Sequence, residues 1–210
     1  DVNKRLVSAV SKGNIDKINE LIKAGANPNH VGTNKKPAYF LFRAANSSNA
    51  DRVIEVLVKA GAKVNLQTEN GLTALFLNTK MNRYDAVKVL LASKADPNLR
   101  AGDGTTAIFS AVIEDRTAIL ELLLTNGAKS SIAHNDGTTP LMMAVIKSNQ
   151  RAVEILLQHG ADAEARDKKG LNAKDYARAW SNEHINTMLT SGVQSSSATP
   201  STGTTPAWYW

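Results

Sequence analysis

No cysteine occurs anywhere in the chain. That single absence excludes disulfides, thiolate catalysis and cysteine-ligated structural zinc, and it leaves the chain chemically at ease in an oxidising compartment. Long apolar runs are missing too, so nothing approaches the ~20 residues of a membrane-spanning helix. Aromatics are scarce at 5%. The net charge of +6 is carried by 25 basic residues read as spread through the chain among 19 acidic ones. No block of five or six like charges and no interleaving of aromatics with cations is present, so no nucleic-acid partner is expected and an acidic protein partner suits the charge better. The chain opens at Asp1 rather than a methionine, which reads as a removed signal peptide or as trimmed residues.

What is present is a repeat. Gly71, Gly104, Gly137 and Gly170 follow one another at intervals of 33 residues, each leading into a similar run: Gly71-Leu-Thr-Ala-Leu, Gly104-Thr-Thr-Ala-Ile, Gly137-Thr-Thr-Pro-Leu and Gly170-Leu-Asn-Ala-Lys. A second anchor keeps phase with the first: Gly25-Ala-Asn-Pro-Asn, Gly61-Ala-Lys-Val-Asn, Lys94-Ala-Asp-Pro-Asn, Gly127-Ala-Lys-Ser-Ser and Gly160-Ala-Asp-Ala-Glu. Apolar segments such as Val153-Glu-Ile-Leu-Leu precede it. A period of this size predicts an all-α architecture of stacked helix pairs, with a core that exists only through stacking.

The run Asn135-Asp-Gly-Thr-Thr-Pro-Leu141 followed by Val153-Glu-Ile-Leu-Leu-Gln-His-Gly-Ala-Asp162 resembles the ankyrin repeat, over roughly residues 3–190. Thr139 before Pro140 supplies an N-capping hydroxyl and a proline at the first helical position. Gly160 supplies the left-handed residue that ends the second helix, and Asn135-Asp136-Gly137 makes the tight turn of a β-hairpin-like tip. The resemblance implies a solenoid of six units at 1–30, 31–66, 67–99, 100–132, 133–165 and 166–192. The first and last read as caps; in the last, Lys174, Asp175 and Asn186 replace inward-facing apolar residues. Residues 193–210 read as a flexible Ser/Thr/Pro-rich tail.

Two departures stand out. Where the family commonly has His two residues after the Thr-Pro proline, this chain has Tyr39, Phe76, Phe109, Met142 and Asp175, so apolar packing is expected in place of a histidine network. Gly25 to Gly61 spans 36 residues, read as an enlarged first helix or interhelix loop around Ala45–Asp51.

Motifs for chemistry fail. Gly102-Asp-Gly104-Thr-Thr-Ala107 has the outline of a dinucleotide fingerprint, but Gly104 falls on the 33-residue grid and reads as a hairpin turn. His30, His134, His159 and His184 occupy different phases of the repeat and lack ligand spacing. No P-loop or nucleophile elbow is present. Asn46-Ser47-Ser48 is a formal glycosylation acceptor. No catalytic residue, metal site or cofactor is expected.

The resemblance implies that hairpin tips and first-helix ends form the binding face. At the tips stand Glu69, Leu72, Asp103, Thr105, Asn135, Thr138, Lys168 and Leu171; at the helix ends stand Lys80, Met81, Ile113, Glu114, Ile146, Lys147 and Trp180. Met81, Ile113, Ile146 and Trp180 are expected to form an apolar stripe, with burial between helices the competing reading for Ile113, Ile146 and Trp180. Trp208, Tyr209 and Trp210 end the tail as anchors for a partner, for self-association or for the chain's own surface. The expected function is a non-enzymatic binding module that inhibits or sequesters a partner protein, an enzyme among the candidates, as an immunity-type factor would. The alternative is a scaffold or secreted effector that recruits without inhibiting. The expected setting is the bacterial periplasm or another extracytoplasmic space, with the cytoplasm as alternative.

Overall fold

A computed structural model describes residues 1–30 and 39–191. Among them are twelve α-helices and no strand. Two compact units divide the chain, Asp1–Gly102 and from Asp103 onward. The first unit holds α1 (Val2–Ser11), α2 (Ile15–Lys23), α3 (Phe40–Ala44), α4 (Ala50–Lys59), α5 (Ala74–Lys80) and α6 (Tyr84–Ala92). The second holds α7 (Ala107–Ile113), α8 (Thr117–Thr125), α9 (Pro140–Ile146), α10 (Gln150–Gln158), α11 (Ala173–Ala179) and α12 (Glu183–Ser191). In each unit the odd-numbered inner helices pack on one another, and each carries an even-numbered outer partner.

Helices of five to ten residues are too short to persist alone in water, so packing and caps hold them. Each unit has its own apolar interior, with Leu6, Ile18, Phe40, Leu57, Leu75 and Leu90 almost fully buried in the first and Ile108, Leu120, Leu141, Val153 and Ile185 in the second. The caps follow local chemistry. Thr73 and Thr139 hydroxyls accept from the backbone three residues on, and Pro140 opens α9 where its lacking N–H costs nothing.

The recurring Gly-Ala pair closes the outer helices. In the first unit, Ala62 N donates to Leu57 O (2.9 Å) and Gly61 N to Val58 O (2.9 Å). The same pair of bonds recurs at Gly25-Ala26, Lys94-Ala95, Gly127-Ala128 and Gly160-Ala161. This geometry needs a left-handed residue followed by one that folds back on the helix. Glycine fills the first place at four turns, with φ near +80, and Lys94 fills the fifth at φ +66.

The three extra residues of the second repeat are not in its interhelix segment. Eleven residues separate the N-cap from the start of the outer helix at Tyr39–Ala50, Thr73–Tyr84, Thr106–Thr117 and Thr139–Gln150 alike. One extra residue lengthens α4, which has ten residues against nine in α6, α8 and α10. Two more precede Tyr39: fourteen residues separate it from Gly25, against twelve between Gly61 and Thr73. The physical reason is geometric. Packed helix pairs fix the length of the turn between them, whereas an outer helix can grow at its end. The segment differs in conformation: α3 ends in tighter i→i+3 bonds at Asn46 and Ser47, with no counterpart to the left-handed residues Asn82, Asp115, Ser148 and Ser181 of the later turns.

The histidine-equivalent series shifts at the same place. Tyr39 is the N-cap of α3, so the position matching Phe76, Phe109 and Met142 is Phe42. Phe109 and Met142 are buried as expected, but Met142 retains a polar task, its Sδ accepting from Thr139 N (3.3 Å). Asp175 does likewise through Oδ2 from Asn172 N (3.0 Å).

Candidate partner-binding surface

The tips are tight turns stitched to their neighbours. Thr68 N donates to Leu72 O (2.9 Å), His134 N to Thr138 O (2.8 Å) and Asp167 N to Leu171 O (3.0 Å), closing each tip on itself. Successive tips then bond to each other within a unit: Gly102 N to Asn70 O (2.9 Å) in the first, Asn135 N to Asp103 O (3.1 Å) and Lys168 N to Asp136 O (2.9 Å) in the second. The Gly102-Asp-Gly104 segment is part of this turn row, with Gly104 left-handed, which removes the nucleotide-fingerprint reading.

Aspartates brace the tips of the second unit. Asp103 accepts from Thr105 N and Asp136 from Thr138 N, both at 2.8 Å. Hydrogen bonds from the Thr105 hydroxyl and N–H, with His134 nearby, hold the Asp103 carboxyl below the usual carboxylate range. At Asp136 partial burial pushes upward, but the N–H and hydroxyl of Thr138 together with His134 outweigh it and the carboxyl again lies low. His134 Nδ1 lies 3.1 Å from Asp136 Oδ1, and its ring packs beside Phe109. In the last repeat the bracing carboxylate moves to Asp167, buried, which accepts from Lys169 N, Leu171 N and Tyr176 Oη.

The expected surface residues divide accordingly. Glu69, Asp103, Asn135 and Lys168 are exposed at the tips, with Leu72 and Leu171 half-buried. Thr105 and Thr138 are corrections: both are buried, because the aspartate turns fold the threonines inward against α7 and α9.

At the ends of the inner helices, Lys80 and Met81 are exposed in the first unit; in the second, Ile113 and Lys147 are exposed and Glu114 and Ile146 half-buried. Ile113 retains 42% of its accessible surface, which a core residue would not. Trp180 is the second correction. It is 8% exposed and packs against Tyr176 with the rings tilted and 5.8 Å between their centres, so it fills the last helix pair and adds nothing to an apolar stripe. Trp208, Tyr209 and Trp210 lie outside the described residues.

Sequence reading missed the row beside these helix ends. Outer helices start from Asn14, Asn49, Asn149 and Asn182, but from Arg83 and Arg116 in the third and fourth repeats. Neither arginine caps its helix by side chain, and each keeps a buried Nε without a partner. Tyr84, next to Arg83, is 43% exposed. The available signal was the break in an asparagine pattern. Open grooves border both turn rows, one in the first unit lined by Asp51, Arg83 and Tyr84, the other in the second lined by Ile113, Asp115, Lys147 and Arg151. Asn149 Nδ2 ties the second together by donating to Asp115 Oδ1 (2.7 Å).

Repeated helix pairs with projecting tips and a variable, half-apolar row of helix ends define a repeat scaffold of the interaction-module class. The chain belongs to the ankyrin-repeat family: the family model "Ankyrin repeats (3 copies)" matches residues 6–101 and 93–167. Ankyrin repeats are protein–protein interaction modules, typically without enzymatic activity. Comparison with curated proteins gave no match. Among the described residues, no helix is long and apolar enough to cross a membrane and no group of three metal-ligating side chains converges.

Proposed function

We propose that the chain is a non-enzymatic binding module that captures a partner protein and inhibits or sequesters it, acting as an immunity-type factor toward an enzyme in the bacterial periplasm. Ile113 carries the reading. It leaves a large apolar side chain in water at the end of α7, on the packed neighbour of α9, whose end presents Ile146 and Lys147. An exposed apolar residue rimmed by charged side chains, here Asp115, Lys147 and Arg151, has the composition of an interface anchor with a polar rim. In the first unit the tip residues Glu69 and Leu72 and the helix-end residues Lys80 and Met81, in the second the tip residues Asp103, Asn135 and Lys168 and the helix-end residue Glu114, and beyond them Trp208, Tyr209 and Trp210, are assigned as partner contacts.

The test is capture of a partner enzyme on immobilised full-length chain, followed by assay of that enzyme at saturating complex. Loss of its activity, with capture abolished by combined Ile113→Glu and Ile146→Glu, supports the proposal. Unchanged activity in a stable complex identifies a recruiting scaffold instead, and capture untouched by the two substitutions removes the helix-end row from the interface.

A further inference from the structure

The positive charge is not spread as the composition suggests. Residues 1–102 hold sixteen basic and eight acidic side chains, residues 103–210 nine and eleven. The whole excess therefore belongs to the first unit.

Four of these basic side chains lie at outer-helix ends and in the turns that follow them. Lys23 closes α2 and Lys59 closes α4, while Lys63 and Lys94 stand in the turns that follow α4 and α6. Two asparagines stitch these turns together. Asn29 Nδ2 donates to Gly61 O (2.7 Å) and its Oδ1 accepts from Lys63 N (2.7 Å); Asn65 bridges the next step through Lys94 O (3.3 Å) and Asp96 N (2.8 Å). The turns that carry Lys63 and Lys94 are thus braced to their neighbours, Lys23 and Lys59 end the outer helices that lead into the first two of these turns, and all four lysines are exposed. Their opposing charges are few: Asp96 is engaged by Asn98 N in its own turn, and Glu55 pairs with Lys59 on open surface. In the second unit the matching turns carry Lys129 against Asp162 and Glu164, so that row is not basic.

Lys94 adds an independent observation. It occupies the left-handed position that glycine fills at the four sister turns, where an L side chain is strained. A Cβ at Gly25, Gly61, Gly127 or Gly160 meets nothing within 4 Å, so a side chain in this place points into open space and gains no packing. The end of α6 would welcome a cation, but Ala92 or Ser93 could have carried one without strain. Left-handed strain kept by a side chain that gains no packing nominates Lys94 as a functional position.

We propose that Lys23, Lys59, Lys63 and Lys94 form a second interaction surface, separate from the helix-end contact, that docks an extended acidic protein segment. Packed helices lie about 10 Å apart, and a segment in the extended polyproline-II conformation, with three residues per turn, advances about 3.1 Å per residue, so carboxylates at every third residue stay on one face and repeat at about the helix spacing.

The experiment titrates full-length protein with a twelve-residue peptide bearing glutamate at every third position, at low and at moderate salt, beside twelve-nucleotide single-stranded DNA and phosphatidylserine vesicles. Salt-sensitive peptide binding is expected, weakened about threefold by Lys94→Gly, the worth of one exposed ion pair, and about tenfold or more by combined Lys23→Gln, Lys59→Gln and Lys63→Gln. Lys94→Gly should at the same time raise the melting temperature by about 2–4 °C, so stability and affinity move in opposite directions. No peptide binding at low salt, unchanged affinity in the variants, or a melting temperature that does not rise with Lys94→Gly overturns the proposal. Binding of DNA or vesicles through these lysines in place of the peptide overturns the assignment to an acidic protein.

Discussion

A methyl group placed on Gly137 would stand 2.9 Å from Cα of Asp167, the backbone of the next tip. Gly71 meets Ala101 Cα in the same way, so successive tips approach closely enough to exclude any side chain between them. Gly137 is also left-handed, at φ +88. Gly137→Ala should therefore combine the left-handed penalty of about 1–2 kcal/mol with overpacking of about 1–3 kcal/mol. Gly160→Ala, left-handed but open around its Cα, should cost the first amount alone. Urea denaturation of the two variants checks the difference, and equal losses would refute the close-packing argument.

Tyr176 Oη donates to the buried Asp167 Oδ2 at 2.5 Å. Tyr176→Phe should cost about 1.5–3 kcal/mol, the range for a hydrogen bond to a charged group. A double-mutant cycle with Asp167→Asn isolates the pair; additive losses would show that the two side chains are not coupled.

Ile113 and Trp180, both once assigned to one apolar stripe, should behave oppositely. Ile113→Glu at an exposed helix end should change stability by no more than about 0.5 kcal/mol, whereas Trp180→Ala should cost about 3–5 kcal/mol through the cavity it leaves. Thermal melts of the two variants decide.

Acid should loosen the second unit. Asp103, Asp136 and Asp175 all titrate below the usual range when folded: Asp103 through Thr105, Asp136 through Thr138 and His134 against the opposing effect of burial, and Asp175 through Asn172 N and Arg178. A depressed folded value means the unfolded chain binds more protons near the ordinary aspartate value of about 4. The stabilisation is complete above that value and is lost as pH falls through the lower folded ones. Melting temperature followed from pH 7 down to about 2 should drop in that window, and Asp103→Asn with Asp136→Asn should flatten the drop. A profile of unchanged steepness in the double variant would contradict it.

The features legible in the chain were those whose physics is local. A glycine before alanine at the end of an apolar run, a threonine before proline, and asparagine-aspartate-glycine at a turn each act through bonds to residues within five positions, as at Ala62–Leu57 and Met142–Thr139. Repetition at a fixed interval by itself implies stacking. The place of the extra residues near Tyr39 was not legible, because residue count alone cannot say which segment of a repeat is free to grow. Nor were the arginines at 83 and 116, which matter only once their unpartnered Nε atoms are seen to be buried.

The sequence by itself determined the repeat, its period, its caps and the family, since these rest on short-range hydrogen bonding and on backbone conformations few residues can adopt. Only the tertiary structure decided which side chains reach water. Thr105 and Trp180 turn inward while Ile113 stays outside, because burial depends on what the neighbouring repeat places opposite, some 33 residues away. The basic turns of the first unit likewise came together only when the Asn29 and Asn65 bridges tied each turn to the next.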